Sequence, residues 1–491
     1  MQFVAPALLA ALLRFSGCPS ALTSPYRGTN VSWNGTALMK GSNMRLSLLI
    51  VLTLCSATVG TLRAQWLEDS LPAGAGACAL CYNSINNKVY CANSGDNTVT
   101  IIDGPANHVL ATVPVGSGPR DLCYNSTNNK VYVVNYGDTT LSVIDGAGDS
   151  VITAVIVGNY PWAVCYNPTG NKVYCANSGS SSVSVINGAN DHVVATDVVG
   201  MWPEVIGFNR TDNKVYCVST STDSAYVIDG ASNNVIATIP VGGIPSGLCW
   251  NPHSDKVYCV NAGDNTVTVI GGGSNSVITT VATGYAPAAL ACDSADNKVY
   301  CANTGDTTVT VIDGASNNVP ATIATVPGAV ALCHNRINNK LYCADKSLGE
   351  VTIVDCATEQ VLRTIHLNGE SPAPCAFTWN PVQNRVYVAD KEQGMVAVLR
   401  DSMPAGVEET MNDERGTPSP GPTIVRGVLF LPETSSRKPQ ATSLLDIEGR
   451  RLLDLNPGAN DVGQLAPGVY FVKEAQAQDQ AQAVRRVVIA R

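Results

Sequence analysis

The sequence predicts an all-β protein, a β-propeller of four-stranded blades followed by a small Ig-like β-sandwich. The main observation is an internal repeat: the segment Asn-Asn-Lys-Val-Tyr-Cys-Ala-Asn at residues 86–93 returns at a fixed spacing. A period of about 40 residues is typical of repeat architectures, including propellers. The repeated lysine recurs every 42 residues and is replaced by arginine, 45 residues on, in the last copy: Lys88, Lys130, Lys172, Lys214, Lys256, Lys298, Lys340 and Arg385.

Each repeat contains four short runs rich in Val, Ile and Thr. In the second copy these runs are residues 119–125, 130–134, 141–146 and 151–158. Asp-Gly follows the third run in four copies, and Asn-Gly in a fifth, which predicts a tight hairpin because these dipeptides adopt positive φ at low cost. A Gly-x-x-Pro crossover leads to the next copy. A four-stranded meander without a helix favours a propeller blade over a solenoid.

Ring closure is predicted from the two ends of the repeat region. The last unit, around Tyr387, supplies three runs and then ends in the polar residues 401–404. Residues 66–73 stand where a fourth strand belongs in the repeat register. We expect this N-terminal strand to complete the last blade, which leaves no exposed sheet edge. The count gives eight blades over residues 65–403, with a seven-bladed ring and one irregular unit as the alternative.

The remaining segments carry processing and linker patterns. Residues 1–43 are interpreted as an upstream extension that is not folded. Residues 44–64 have the order of a signal peptide: a basic start, the apolar run 46–54 and small residues before Gln65. That run is shorter than the roughly 20 residues that span a bilayer, so no transmembrane span is expected in the mature chain. Residues 404–422 are predicted to be a Pro-rich linker.

The repeated strands resemble a known family. Val-Tyr-Cys-Ala-Asn and Val-Tyr-Val-Val-Asn, followed by Asn-Thr-Val-Thr-Ile-Ile-Asp-Gly, are similar to YVTN-type β-propeller repeats over about residues 66–403. Members of that family include cell-surface and surface-layer proteins, and lactonase-like and amine-dehydrogenase propellers. The resemblance therefore implies the fold and leaves the function open.

The C-terminal region, residues 423–491, resembles the sorting domain of type IX secretion cargo. The matching features are Asp-Ile-Glu-Gly-Arg at 446–450, Leu-Ala-Pro-Gly-Val-Tyr-Phe-Val at 465–472 and a basic, aliphatic terminal strand. An Asn-Pro opening is missing, and an Ala-Gln insert at 475–478 interrupts the pattern. The resemblance implies delivery by that secretion machinery; a general Ig-like accessory module is the alternative.

Composition restricts the class of function. The net charge is −9 and charged residues make up 14% of the chain, so no basic face for nucleic acid is expected. A low-charge, mildly acidic chain with a signal peptide is typical of an exported protein. We therefore expect a bacterial protein that is secreted or attached to the cell surface.

The candidate contact surface lies at the residue after each crossover proline, which should face the channel mouth. The residue type at this position varies from blade to blade on a repeated backbone, and propellers bind their partners through such variable positions. Packing against the crossover is the alternative role for an aromatic residue. The predicted binding residues are Arg120, Trp162 and Glu204, with Trp202 beside them.

Cysteine is frequent, with 17 residues in the chain. Four blades carry two cysteines ten residues apart, which suggests either intrablade disulfides or small buried packing sites. Cys78 and Cys375 occupy equivalent positions in the first and last blades, and a disulfide between them would link the two ends of the ring. The four candidate pairs are Cys81/Cys91, Cys165/Cys175, Cys249/Cys259 and Cys333/Cys343.

No catalytic, metal or cofactor site is predicted. The chain has five histidines, and none pairs with a carboxylate and a nucleophile in a recurring register. The Asp-Gly turns are explained by backbone geometry rather than by calcium. The sequence thus favours a non-enzymatic scaffold that binds a protein or glycan partner. A lactonase-like hydrolase with a channel active site and a structural surface-layer component are the alternatives.

Overall fold

The computed structural model describes residues 65–325 and 328–401, together with the backbone of seven strands between residues 423 and 489. The first strand is β1 (Trp66–Pro72). Blades 1 to 4 contain β2 (Ala77–Asn83), β3 (Lys88–Asn93), β4 (Thr98–Asp103) and β5 (His108–Pro114); β6 (Pro119–Asn125), β7 (Lys130–Asn135), β8 (Thr140–Asp145) and β9 (Ser150–Ile156); β10 (Pro161–Asn167), β11 (Lys172–Asn177), β12 (Ser182–Asn187) and β13 (His192–Val198); β14 (Pro203–Asn209), β15 (Lys214–Ser219), β16 (Ser224–Asp229) and β17 (Val235–Pro240).

The other four blades follow the same plan. A 3-10 turn at Ser178–Ser180 is the one helical element among the described residues. Blades 5 to 8 contain β18 (Pro245–Asn251), β19 (Lys256–Asn261), β20 (Thr266–Gly271) and β21 (Ser276–Ala282); β22 (Pro287–Asp293), β23 (Lys298–Asn303), β24 (Thr308–Asp313) and β25 (Ala321–Ala324); β26 (Ala329–Asn335), β27 (Lys340–Asp345), β28 (Glu350–Asp355) and β29 (Gln360–His366); β30 (Pro374–Asn380), β31 (Arg385–Asp390) and β32 (Met395–Arg400), completed by β1.

The N-terminal strand closes the ring, as the sequence predicts. β1 pairs antiparallel with β32, with Trp66 opposite Arg400 and Pro72 opposite Met395. The last sheet therefore has the order β1-β32-β31-β30, and eight four-stranded blades form the propeller. The eight-blade count is confirmed, and the seven-bladed alternative is wrong.

Burial is graded across each blade. The first strands of neighbouring blades contact each other around the ring. The second and third strands are almost wholly buried, whereas the fourth strands alternate between exposed and covered residues. Tyr90 and Val99 of blade 1 pack in one cluster with Val131 and Val133 of blade 2. Apolar residues on both faces of the inner strands are thus explained by packing between sister sheets.

Asparagine at the end of the second strand stabilises the hairpin that follows. The side-chain Nδ2 of Asn93 donates to the hydroxyl oxygens of Thr98 at 3.0 Å and Thr100 at 2.9 Å, inside the blade. Asn135, Asn177, Asn261 and Asn303 repeat this arrangement with Thr or Ser partners. These bonds satisfy the amino group of the buried amide and fix the register of the hairpin.

The glycine of the Asp-Gly turn has a role that differs from the predicted one. Positive φ is taken by Asn107, at 54°, and not by Gly104. A Cβ at Gly104 would lie 2.5 Å from the backbone oxygen of Asn87 and 2.7 Å from the side-chain nitrogen of Asn380 in the neighbouring blade. The prediction that this glycine supplies positive φ was wrong; close approach between blades requires it.

Polar contacts tie each blade to the next. The Nζ of Lys88 in blade 1 lies 2.7 Å from the carboxylate of Asp149 in blade 2. The Nδ2 of Asn83 donates to Oδ1 of Asn129 across the same junction at 2.8 Å. Lys130, Lys172, Lys214, Lys256, Lys298 and Lys340 make equivalent contacts with the following blade. The repeated lysine is therefore an interblade residue.

The candidate disulfides are not formed, because the strand register separates the paired cysteines. Cys81 lies opposite Tyr90 and Cys91 lies opposite Leu80, so the two thiols point to opposite faces of one sheet. The pairs Cys165/Cys175, Cys249/Cys259 and Cys333/Cys343 have the same register. All cysteines in the described residues are free. The packing alternative fits, since Cys91, Cys175, Cys259 and Cys343 are fully buried.

The proposed staple between Cys78 and Cys375 is also not formed. The sulfur of Cys375 lies 3.4 Å from the backbone oxygen of Ala77 and 3.9 Å from that of Cys78. Each thiol instead reaches the backbone of the neighbouring inner strand, and Cys78 lies 3.4 Å from the oxygen of Pro119. These cysteines therefore pack between the inner strands of neighbouring blades and form no covalent bond.

The C-terminal region forms two sheets. A five-stranded sheet has the order β33-β39-β38-β35-β36, and β34 pairs with β37. The predicted extension (1–43), signal peptide (44–64) and linker (404–422) lie outside the described residues. Among the described residues, no helix has the length and apolar character needed to cross a membrane. The strands are β33 (Thr423–Val425), β34 (Val428–Leu431), β35 (Thr442–Leu445), β36 (Arg451–Leu455), β37 (Gly458–Asp461), β38 (Gly468–Glu474) and β39 (Val484–Ile489).

The closure contact gives a stability prediction. Arg385 binds Glu68 of β1 through two hydrogen bonds of 2.6 and 2.7 Å and donates to the backbone oxygen of Gly104 in blade 1. Removing the guanidinium leaves a half-buried carboxylate and a buried carbonyl without this donor. We expect Arg385→Met to lower the free energy of unfolding by about 2–4 kcal/mol.

Denaturant unfolding of the full chain measures this change. The exposed Lys346→Met variant is the control and should shift the free energy of unfolding by no more than about 0.5 kcal/mol. Equal midpoints for Arg385→Met and the wild type would show that the closure does not depend on this ion pair.

Candidate functional site

The crossovers and the hairpins between second and third strands lie at the same end of every blade. The N–H of Tyr136 donates to the oxygen of Gly118 at 3.0 Å, and the N–H of Thr220 donates to the oxygen of Trp202 at 3.1 Å. We call this end of the propeller the crossover face. It contains the predicted binding residues.

Large apolar side chains are exposed on the crossover face of blades 2 to 6. Trp202 is 61% exposed and Tyr285 is 64% exposed, although aromatic residues are scarce in the chain. An exposed apolar cluster of this kind often marks an interaction surface. The set, which we call the apolar crescent, consists of Tyr136, Tyr160, Met201, Trp202, Ile244 and Tyr285.

The backbone of the apolar crescent is strained. The residue before the crossover proline has φ of 47° at Tyr160, 56° at Trp202 and 51° at Ile244. A left-handed conformation costs an L-residue roughly 1–2 kcal/mol, and a β-branched residue such as Ile244 rarely adopts it. Glycine takes this position in three other blades, at Gly76, Gly118 and Gly328. Bulky residues here act against stability, which suggests that they serve a function.

Arg120 and Trp162 are in direct contact. The guanidinium carbon of Arg120 lies 3.3 Å from the centroid of the Trp162 ring and 5.9 Å from that of Tyr136. Tyr136 contacts Trp162 edge-on and Tyr160 at a tilt, each with ring centroids 5.4 Å apart. Stacking and cation–π attraction hold this group together. It forms a rigid, amphipathic part of the crossover face.

Two carboxyl groups on this face interact with Arg120. Burial raises the pKa of Glu204, and attraction to Arg120 acts in the opposite direction. Burial raises the pKa of the adjacent Asp121 to about 6, partly opposed by hydrogen bonds from the backbone N–H groups of Val164 and Leu122. Asp121, Glu204 and Arg120 therefore form one interacting charged group on the crossover face.

The structure brings three of the four predicted residues into one group. Arg120 stacks on Trp162 and attracts Glu204, whereas Trp202 lies in the crossover that leads into the strand of Glu204. Trp162 therefore packs against Arg120 and Tyr136, as the alternative role of packing predicts for an aromatic residue. The equivalent positions in the other blades hold smaller residues: Cys78, Ser246, Ala288, Val330 and Cys375.

Sequence reasoning missed most of the apolar crescent. The signal was present in the second and third positions of Gly-x-x-Pro: Tyr160, Ile244 and Tyr285 stand where blades 1 and 2 have small residues. What the repeat does not reveal is that the third position has a left-handed backbone. Because this conformation disfavours bulky side chains, a bulky residue at the third position indicates a role other than stability.

One group in the described residues has ligand types suited to a metal, although none was predicted. Asp293, His334 and Cys356 are buried between blades 6 and 7, with one ligand atom of each within 4.8 Å of the others. Each of the three departs from the residue usual at its repeat position. Comparing the repeats column by column would have revealed this coincidence.

The strain at Trp202 is testable by comparing two substitutions. Trp202→Gly should have a free energy of unfolding about 1 kcal/mol higher than Trp202→Ala, because only glycine relieves the left-handed backbone. The adjacent Met201 is equally exposed and has no positive φ. At that position the order should reverse, with glycine less stable than alanine. Thermal and denaturant unfolding measure both pairs, and the same order at both positions would contradict the strain.

The raised pKa of Asp121 predicts a pH dependence. Its folded pKa of about 6 exceeds the unfolded value of 3.8, so its contribution to stability is complete below that lower value and is lost as the pH rises through 6. Asp121→Asn should therefore gain stability relative to the wild type between about pH 4 and about pH 7. Urea unfolding of both chains across this range is the measurement. Parallel profiles would mean that the carboxyl is not perturbed.

Comparison with known proteins supports the fold. No family model matches the chain, and no curated protein matches it. Among solved structures it is similar to Sqt1 from Saccharomyces cerevisiae, at 12% identity and TM-score 0.59, over 67% of this chain and 97% of that chain.

Two further solved structures are similar. The dihydro-heme d1 dehydrogenase NirN in complex with DHE matches at 16% identity and TM-score 0.50, over 61% of this chain and 67% of that chain. Kuenenia stuttgartiensis hydrazine synthase matches at 16% identity and TM-score 0.49, over 68% and 97%. At these identities, the likeness to Sqt1 and to NirN supports the propeller fold alone and says nothing about function.

Proposed function

We propose that this chain is a non-enzymatic binding protein whose crossover face recognises a protein or glycan partner. The observation that supports this proposal is the apolar crescent: exposed aromatic and aliphatic residues held on a left-handed backbone where other blades use glycine. A position with a stability cost is expected to persist when binding uses it.

The composition of the crossover face suits recognition. Trp, Tyr and Arg dominate the energetics of protein interfaces, since they bury large areas with few rotatable bonds. Arg120 is fixed by its stack on Trp162, so little side-chain entropy remains to be lost on binding. The exposed faces of Tyr160, Trp202 and Tyr285 would supply flat apolar contacts, and Glu204 would add a hydrogen-bond acceptor.

We also propose where the protein acts. The hairpin asparagines, such as Asn93, are consistent with membership of the YVTN-type repeat group. The strand order of the C-terminal sheet is consistent with a sorting-like module. On this view the chain is exported by a signal peptide and a type IX machinery, and acts in the medium or on the cell surface.

A lactonase-like hydrolase remains the alternative function. Asp121 and Arg120 at the channel mouth are the groups that such chemistry would use, because a carboxyl with a pKa of about 6 is suited to proton transfer. A surface-layer component is the third alternative, and it differs in forming ordered lattices of the purified chain.

Binding is tested with the labelled full chain on a glycan array and a displayed protein-fragment library. For a ligand found there, Trp202→Ala should weaken affinity at least tenfold, as expected for a central aromatic anchor. Trp66→Ala is the matched control, because Trp66 is 40% exposed and lies at the opposite end of its blade. Titration calorimetry measures both variants.

Three outcomes would contradict this function. Equal loss of affinity in the two tryptophan variants would place binding elsewhere than on the crossover face. Turnover of a lactone panel that is abolished in Asp121→Asn would identify the chain as a hydrolase. Lattice formation by the pure chain, seen by electron microscopy, would identify a coat component.

A further inference from the structure

The junctions between blades share one hydrogen-bonding scheme. At the end of the inner strand an asparagine donates to the side-chain oxygen of the next blade, as Asn83 does to Asn129 at 2.8 Å. A glycine packs on this pair, and a Cβ at Gly146 would lie 2.5 Å from Oδ1 of Asn129. Asn125, Asn167, Asn209, Asn251, Asn335 and Asn380 repeat the donation at the other junctions.

The junction between blades 6 and 7 departs from this scheme at three positions. Asp293 replaces the asparagine, Cys356 replaces the glycine, and His334 stands where blades 2 and 3 have tyrosine. No other junction in the described residues combines these three changes. Each new side chain is a potential metal ligand, and the three meet at one point.

The three side chains are sealed inside the protein. Asp293 and Cys356 have no exposed surface, and the side chain of His334 is 4% exposed. Oδ2 of Asp293 and Nδ1 of His334 have no hydrogen-bond partner, and Nε2 of His334 lies 3.7 Å from Oδ2 of Asp293. Two unpaired buried acceptors are costly, and such groups call for an explanation such as an ion.

Hydrogen bonds around the histidine determine which nitrogen is protonated. The Nδ2 of Asn339 donates to Asp296 at 2.8 Å, so its Oδ1 faces Nε2 of His334 at 3.0 Å. Since this oxygen only accepts, Nε2 carries a proton and the neutral ring has a free lone pair on Nδ1. A histidine oriented by a hydrogen bond through one nitrogen is the usual arrangement of a metal ligand.

We propose that Asp293, His334 and Cys356 bind a divalent transition-metal ion of the Zn²⁺ class, which links blade 6 to blade 7. Sulfur, nitrogen and oxygen donors together suit Zn²⁺, which binds these atoms at roughly 2.0–2.3 Å. Asp293 comes from blade 6, whereas His334 and Cys356 come from blade 7. The ion therefore replaces the asparagine hydrogen bond that this junction lacks.

The role of this centre is structural. Because the three ligands are buried, a substrate has no direct access to the thiol, and the Cys–His–Asp set does not act as a nucleophilic triad. Binding energy at a site formed only in the folded ring adds to the free energy of folding. Chelation should therefore destabilise the propeller, although each blade retains its own hydrogen bonds.

Metal binding is tested on the full chain. We expect about one Zn²⁺ per chain by elemental analysis after purification without chelator, a lower melting temperature after chelation, and recovery when Zn²⁺ is returned. Co²⁺ should give the visible absorption of a thiolate ligand. Variants that restore the usual repeat residue, Asp293→Asn and Cys356→Gly, should fold and lose at least tenfold in Zn²⁺ affinity.

The matched control is Cys343→Val. Cys343 is a fully buried cysteine of the same blade, and its repeat position holds Val133 in blade 2, so this change removes a thiol that packs in the same cluster as Cys356 but is not one of the three ligands. It should bind Zn²⁺ like the wild type. Absence of stoichiometric metal in the wild type, or equal affinity in Cys356→Gly and Cys343→Val, would overturn the proposal.

Discussion

A cation on the second strand of each blade, held against the following blade, is the contact on which the ring depends. Lys88 reaches Asp149, and in the last blade Arg385 donates to the backbone oxygen of Gly104 in blade 1. Beside it, a buried asparagine crosses the same junction under a glycine that leaves no room for a Cβ. Since each blade is a sheet with two apolar faces, packing alone would permit sliding between blades. Directional polar contacts fix one register around the ring.

The junctions and the crossover face are subject to different constraints. At a junction, the residue types are restricted by close approach, so Gly146 and its equivalents recur. The departure at Cys356 is informative because it comes with matching changes at Asp293 and His334. On the crossover face the side chains point to solvent and packing imposes little, so variation there is available for recognition.

Stability and recognition are separated in this architecture. The buried strands and interblade contacts provide the folding energy, while the apolar crescent adds strain at Tyr160, Trp202 and Ile244. Eight similar blades can tolerate a cost of a few kcal/mol confined to exposed crossovers. The same separation allows a chain with few aromatic residues to place several of them, exposed, on one face.

The sequence by itself determined the blade, the ring closure by residues 66–72 and the eight-fold count, because these follow from a repeat period and from strand patterns that are local. It also selected Arg120, Trp162 and Glu204 as equivalent positions in successive blades, and the contact of Arg120 with Trp162 emerges only in the structure. Tertiary structure decided the rest. The cysteine pairs fail because strand register places Cys81 and Cys91 on opposite faces. Comparing the repeats shows that Asp293 and Cys356 are unusual residues at their positions, but only the packing of two blades brings their side chains together. The left-handed backbone at Trp202 is likewise seen only in the structure.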